Sequence, residues 1–286
     1  MKVDSCIILA AGMGSRMGQI GQLLPKPLWP LGKDRTFLSI LYEQIRKAGI
    51  NKVYINTHHR DDLIREYVSR KKMNIEILPE PELLDVGGTI QSLANKVKSG
   101  GCLLVNCDQI FIGFDQILKS LESSIKLDDL ASLASIKLNH DEKYNRLRIE
   151  GEVLRGILKY GEHKELDNKT YSGLGIINLS LVTGKNPREN PNFFDFLFAQ
   201  EEQSIKTVEI DRESFVDVGT KEKYIDFLFR GKSGCPFDLN ICYKDGFYNF
   251  SESVWSSAPD GTVVIKGDKR PLNQRCIIYN DIIDQY

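Results

Sequence analysis

Ser5-Cys6-Ile7-Ile8-Leu9-Ala10-Ala11-Gly12-Met13-Gly14-Ser15-Arg16-Met17-Gly18 carries an apolar run straight into a glycine loop. Ser5–Ala10 reads as a short strand stopped by the glycines. Gly12 and Gly14 lack a Cβ, so the backbone there can approach a phosphate closely. Successive N–H groups in such a loop bind an anion, and Arg16 adds a charge-assisted fork. The same residues also suit a plain tight turn between strand and helix. Two other phosphate-binding patterns fail on the residues. A dinucleotide fingerprint needs a third glycine where Met17 stands, and a carboxylate at the end of the second strand, which ends instead at Asn56. A kinase-type phosphate loop needs Gly-Lys-Ser/Thr after the glycines, and none follows.

Strand and helix signals alternate outward from this loop. Thr36–Gly49 carries Phe37, Ile40, Leu41, Ile45 and Ala48 at helical spacing. Lys52–Asn56 reads as a strand, Asp61–Arg70 as a helix, Ile75–Leu78 as a strand stopped by Pro79 and Pro81. Thr89–Val97 reads as a helix and Cys102–Cys107 as a buried strand. This order predicts an α/β fold, a Rossmann-like doubly wound sheet with helices on both faces. Beyond residue 130 strands dominate: Leu130–Leu138, Arg146–Glu150, Val153–Lys159, Tyr171–Leu179, Ile205–Ile210 and Phe215–Gly219. Helices are expected near Phe193–Gln200 and at Lys221–Arg230, and Glu150-Gly151 suits a hairpin turn. The sheet is therefore expected to be mixed in its second half. The composition breaks at Gly231–Pro236, which divides a main domain, 1–230, from a small β-rich appendage, 231–286. The appendage is expected to pack on the main domain or on a second copy of the chain, giving a homo-oligomer.

Bulk properties narrow the function. The 286 residues carry 38 basic and 39 acidic side chains, a formal net charge of −1, so the basic excess of a nucleic-acid binder is absent. No apolar run approaches a membrane span of roughly 20 residues, and no signal-peptide layout opens the chain. The six cysteines, Cys6, Cys102, Cys107, Cys235, Cys242 and Cys276, form no Cys-x-x-Cys pair. Reduced thiols in a cytoplasmic protein are expected. Ten residues past Arg16, Pro25-Lys26-Pro27 fixes the backbone on both sides of a lysine. An ammonium held this way stabilises charge on a phosphoryl group, or is an exposed lysine in a stiff loop.

The glycine loop with Arg16, followed by Pro25-Lys26-Pro27, resembles the sugar-1-phosphate nucleotidyltransferases. Further pieces fall in the same order: Leu84-Asp85-Val86-Gly87-Gly88-Thr89, Leu103-Leu104-Val105-Asn106-Cys107-Asp108, Tyr171-Ser172-Gly173-Leu174-Gly175 and Phe215-Val216-Asp217-Val218-Gly219-Thr220. Together they span about residues 3–230. The pattern is most similar to small enzymes that use UTP or GTP with N-acetylmuramate, heptose or mannose 1-phosphate. Cys107 stands where glycine is usual, and Ala11 where many members have glycine.

The resemblance implies the nucleotide-diphospho-sugar transferase type of fold. It also implies transfer of a nucleoside monophosphate from an NTP to a sugar 1-phosphate with Mg2+ as cofactor, in nucleotide-sugar biosynthesis for cell-envelope polysaccharide. It assigns Asp108 and Asp217 to the metal, where each is otherwise a turn or cap aspartate. Arg16 and Lys26 take the triphosphate and, with Asp108, the catalysis. The base is expected against Leu9, Ala10, Ala11 and Gly12, with Met13 and Gly14 completing the nucleotide loop. Glu80, Gly87 and Gly88 close the other side, or are a solvated proline-loop acid and a helix start. Asn106, Gly173 and Lys159 are expected on the sugar-phosphate side, with packing or surface roles as their alternatives. Two other readings stay open: a catalytically silent nucleotide-sugar-binding regulator of the same fold, and an interaction module acting through the appendage.

Overall fold

The computed structural model describes residues 1–32, 35–97, 100–139, 142–160, 168–184, 186–200 and 203–230, and short strands within 242–285. The elements run β1 (Val3–Leu9), α1 (Gly18–Leu23), β2 (Pro30–Gly32), β3 (Arg35–Thr36), α2 (Phe37–Lys47), β4 (Lys52–Thr57), α3 (Asp61–Arg70), β5 (Glu76–Pro79), α4 (Asp85–Val97), β6 (Gly101–Asn106), β7 (Gln109–Phe111) and α5 (Phe114–Ser124). They continue with β8 (Asp129–Lys137), β9 (Arg146–Glu150), β10 (Val153–Leu158), β11 (Lys169–Asn178), α6 (Phe193–Ala199), β12 (Ser204–Glu209), β13 (Phe215–Asp217) and α7 (Lys221–Arg230).

Nine strands form one sheet in the order β5-β4-β1-β6-β11-β8-β12-β10-β9. β1 runs parallel to β4 and β6, β4 parallel to β5, and β11 antiparallel to both β6 and β8. The sheet is thus mixed in its second half, as the strand-rich sequence beyond residue 130 predicts. Alternate side chains of the central strands enter two cores. Cys6, Ile8, Val53, Ile55, Leu103 and Val105 pack with Phe37, Ile40 and Leu41 of α2 and with Ile117, Leu118 and Leu121 of α5. Ile7, Tyr54 and Leu104 pack on the opposite face with Ile90 and Leu93 of α4 and Phe196 of α6. Strands buried on both faces read as continuous apolar runs, which is why these were legible.

Three features differ from the sequence expectation. α4 starts at Asp85, four residues before Thr89, so Gly87 and Gly88 lie inside the helix. α5 was not anticipated, although Phe114, Ile117, Leu118 and Leu121 make its buried stripe. β13 leaves the main sheet and pairs antiparallel with β7, placing Asp217 opposite Gln109. The Glu150-Gly151 hairpin is present, with Gly151 at φ 63°.

Towards the C-terminus, β14 (Cys242–Lys244), β15 (Phe247–Ser251), β16 (Trp255–Ser257), β17 (Thr262–Lys266), β18 (Cys276–Tyr279) and β19 (Ile282–Gln285) form a separate six-stranded sheet in sequence order. The expected linker, 231–236, lies outside the described residues. Among the described residues, no helix is long and apolar enough to cross a membrane.

Candidate active site

Strand order reverses at β1, between β4 and β6, and open α/β sheets bind ligands at the carboxyl ends of strands at such a point. The glycine loop leaves β1 there. Gly14 is left-handed (φ 66°), and a Cβ on it would lie 2.7 Å from the Gly21 carbonyl oxygen, so only glycine lets the loop close on α1. Gly12 faces open space, with nothing within 4 Å of its Cβ direction. The Ala10 N–H donates to Asn56 Oδ1 at 2.6 Å, which pins the start of the loop to β4. Above it opens a cleft of about 360 Å³. Its lining comprises Leu9 to Arg16, Lys26, Asn56, Glu80, Leu83, Asp85, Val86, Asn106, Cys107 and Asp108.

One end of this cleft holds the charged groups. Pro25 and Pro27 set Lys26 in a single tight turn, and its side chain is only 12% exposed. Lys26 Nζ donates to Asp108 Oδ2 at 2.7 Å and to the Gly219 carbonyl at 2.9 Å. The Arg16 guanidinium stands 3.9 Å from the same Asp108 oxygen and is 68% exposed. The β7–β13 ribbon carries Asp217 up to Asp108, and the Val218 N–H donates to the Asp108 carbonyl at 3.1 Å. A Cβ on Gly219 would sit 2.9 Å from Asp108 Oδ2 and 3.0 Å from Asp217 Oδ1. Two carboxylates from distant parts of the chain therefore converge on one small space that glycine keeps open.

Residues 6–141, which include the glycine loop, Lys26 and Asp108, match the MobA-like NTP transferase domain. The D-glycero-alpha-D-manno-heptose 1-phosphate guanylyltransferase of Campylobacter jejuni is 28% identical over 231 residues, 78% of this chain and 97% of that one. The enzyme of the same name from Aneurinibacillus thermoaerophilus is 25% identical over 221 residues, 76% of this chain and 94% of its own. HddC from Yersinia pseudotuberculosis, a crystal structure 20% identical in sequence, shares the fold with a TM-score of 0.64 over 80% of this chain and all of its own. Over 76–78% of its length the chain is similar to sugar-1-phosphate nucleotidyltransferases.

Asp217 has partners that no sequence motif names. Its Oδ1 accepts the Gly219 N–H at 2.8 Å, and its Oδ2 accepts from Tyr144 Oη and from Lys223 Nζ. Lys223 Nζ also donates to Tyr144 Oη and lies 4.8 Å from the centre of the tyrosine ring. Burial pushes the Asp217 carboxyl up, but hydrogen bonds from Lys223, Tyr144 and Gly219 outweigh it and hold the group below the usual carboxylate range. For Lys223 burial lowers the pKa, and the bonds to Asp217 and Tyr144 raise it above an ordinary lysine. The donor set around Gly219 suits magnesium, which takes one or two carboxylates and completes its shell with phosphate oxygens and water. Among the described residues no group of three or more His, Cys, Asp or Glu side chains gathers to hold a metal.

The other end of the cleft is built differently. Glu80 is buried at 6% exposure; its Oε1 accepts from Asn56 Nδ2 (2.9 Å) and Thr89 Oγ1 (2.5 Å), and its Oε2 from the Leu84 N–H (3.1 Å). Glu80 lines the cleft, yet it is committed to these interior donors rather than offered to a base. Gly87 and Gly88 do not line the cleft. A Cβ on Gly87 would meet Asn190 O at 2.4 Å and one on Gly88 would meet Pro187 O at 2.4 Å, and the Gly87 N–H donates to Pro191 O. These glycines let the segment before α6 pack on α4. Gly173 is left-handed (φ 81°), and its Cβ position falls 2.6 Å from Asn106 Nδ2 and 1.7 Å from Gln109 Oε1, so it brings those two amides together. Lys159, exposed one residue beyond β10, is not among the residues lining the cleft.

Proposed function

We propose that the protein transfers GMP from GTP to a sugar 1-phosphate, giving a GDP-sugar and pyrophosphate with magnesium as cofactor. The observation that carries this is the Gly219 cradle, where Asp108 and Asp217 converge beside Lys26 at the mouth of the glycine loop. The choice of GTP is supported by the two heptose 1-phosphate guanylyltransferases, each matched over nearly its full length. A heptose 1-phosphate is for the same reason the first acceptor to test.

An oxygen of the sugar phosphate attacks the α-phosphorus of the nucleotide. A new P–O bond forms there as the bond to the pyrophosphate oxygen breaks. Asp108 and Asp217 are the residues that hold magnesium, which when bound draws charge from the phosphate oxygens and orients them. Lys26, fixed by its two acceptors, places an ammonium against charge that grows in the transition state. Arg16, exposed at the cleft mouth, meets the departing pyrophosphate. Leu9 to Gly14 present backbone to the nucleotide, and Asn106, held against buried Gly173, faces the sugar. Lys159 keeps its assignment to the sugar phosphate by order along the chain.

We assign catalysis to residues 1–230 and treat 231–286 as a β-rich appendage that supports oligomer contacts. Free, buried Cys6, Cys102 and Cys107 support a reducing, cytoplasmic setting, with the product supplying an activated sugar for the cell envelope. The test is pyrophosphate release with magnesium, for each of five NTPs against a panel of sugar 1-phosphates. Release that needs GTP, a sugar 1-phosphate and free magnesium is expected, and EDTA stops it. A folded protein that releases none across the panel sinks the proposal and turns attention to nucleotide-sugar binding.

A further inference from the structure

The cleft crosses four strand ends in the order β5, β4, β1, β6. Arg16, Lys26 and Asp108 mark its β6 side. The other, far end is formed by Glu80 just after β5 and by Leu83, Asp85 and Val86 at the start of α4, which is tied to the end of β4 through Thr89 and Asn56. With the phosphates at the charged side, that far end is where the nucleobase lies.

Two carboxylates line the far end, and only one is available. Glu80 is spent on Asn56, Thr89 and Leu84. Asp85 is exposed, lines the cleft, and among the described residues accepts only the neighbouring Val86 N–H, through Oδ1 at 2.7 Å. Its backbone is left-handed (φ 56°), a conformation shared among the described non-glycine residues only by Arg60 and Lys72, neither of which lines the cleft. Strained positions of this kind persist where the surroundings enforce them and gather at ligand sites. Leu83 and Met13, 50% and 45% exposed, add apolar side chains to the same cleft, which suits a flat ring.

We infer that Asp85 reads guanine, accepting from the N1–H and the 2-amino group; this rests on the GTP reading above. A carboxylate accepts at two oxygens and donates nothing. Guanine offers it two adjacent donors. Adenine and cytosine present a ring-nitrogen lone pair beside their amino groups, and uracil and thymine a single N–H between two carbonyls. Two-point acceptance therefore selects guanine.

The test compares GTP with ITP, which lacks the 2-amino group, and with XTP, which carries a carbonyl there. For the intact chain, kcat/KM for GTP exceeds that for ITP by about tenfold or more, the loss of one charge-assisted hydrogen bond. Asp85→Asn tolerates the left-handed backbone and converts one acceptor into a donor, so its XTP-to-GTP ratio rises by at least about tenfold. Asp85→Gly fits the same φ, and its GTP-to-ITP ratio falls towards one. Wild-type ratios in both variants overturn the inference while leaving the GTP reading standing. An intact chain that turns over another NTP and not GTP overturns both.

Discussion

Glu80 and Asp108 are both acids just past strand ends of one sheet, and both line one cleft, but their surroundings differ. Glu80 is enclosed by uncharged donors from Asn56, Thr89 and Leu84, so its charge is used up in holding β4, β5 and α4 together. Asp108 is met by cations, Lys26 at 2.7 Å and Arg16 at 3.9 Å, and both cations line the cleft with it. A carboxylate satisfied by neutral interior donors is architecture. One balanced by cations in an open cleft, beside a second carboxylate, is poised for a ligand. Asp108→Asn breaks this comparison most severely. The isosteric amide keeps an acceptor for Lys26 but lacks the charge, and turnover falls by on the order of 100–1,000-fold, the scale for losing one electrostatic element of a site. Circular dichroism and the urea midpoint stay near those of the intact chain. Full activity in that variant removes Asp108 from the mechanism.

Glu80→Ala is expected to act the other way round. It strands the Asn56 amide, the Thr89 hydroxyl and the Leu84 N–H in a buried setting, and stability falls by about 3 kcal/mol in urea unfolding. Turnover per folded molecule changes less than the stability does. A Glu80→Ala protein with unchanged stability and abolished turnover would move Glu80 to the Asp108 side of the comparison. Gly87→Ala sharpens the same division at a smaller scale. Its Cβ would press on Asn190 O and Phe196 Cβ, at 2.4 and 2.6 Å, so overpacking costs about 1–3 kcal/mol without touching the cleft. The observation against it is a raised KM for GTP with no loss of stability.

How far the sequence carried depended on whether a signal was local. The strands β1, β4 and β6 announce themselves because each is apolar on both faces, and the glycine loop because Gly14 must close on Gly21. The α5 stripe at Phe114, Ile117, Leu118 and Leu121 was equally local, and the helical period was there to be read. Glycines mislead when their partner is distant. Gly87 and Gly88 read either as a side of the nucleotide cleft or as a helix start; they lie in the first turn of α4, and the chain that approaches them is the segment at 187–192. The meeting of Asp108 with Asp217 rests on a ribbon of two three-residue strands, far below the length at which periodicity speaks. Tyr144 and Lys223 carried no motif at all; their place follows from tertiary structure alone.

Tyr144 supplies the finest test, because it divides Asp217 from Asp108. Asp108 is balanced by cations that line the cleft, whereas Asp217 is oriented from behind by Tyr144 and Lys223. Tyr144→Phe removes one hydroxyl and keeps the ring under the Lys223 ammonium. Under the magnesium proposal Asp217 is a metal-binding carboxylate; groups that orient one typically contribute 10–100-fold to affinity or rate, and with Lys223 still in place about tenfold is expected here. The loss appears as a higher magnesium midpoint, and excess magnesium recovers part of the rate. A second readout follows from the depressed pKa of Asp217. Stability from a depressed carboxyl is complete above its unfolded value, about 3.9, and is lost as pH falls through the lower folded value. Removing the Tyr144 hydroxyl raises that folded value, so acid unfolding of Tyr144→Phe begins at a higher pH than in the intact chain. If both the magnesium midpoint and the acid limb are unmoved, Tyr144 is a neighbour of Asp217 without a share in its orientation.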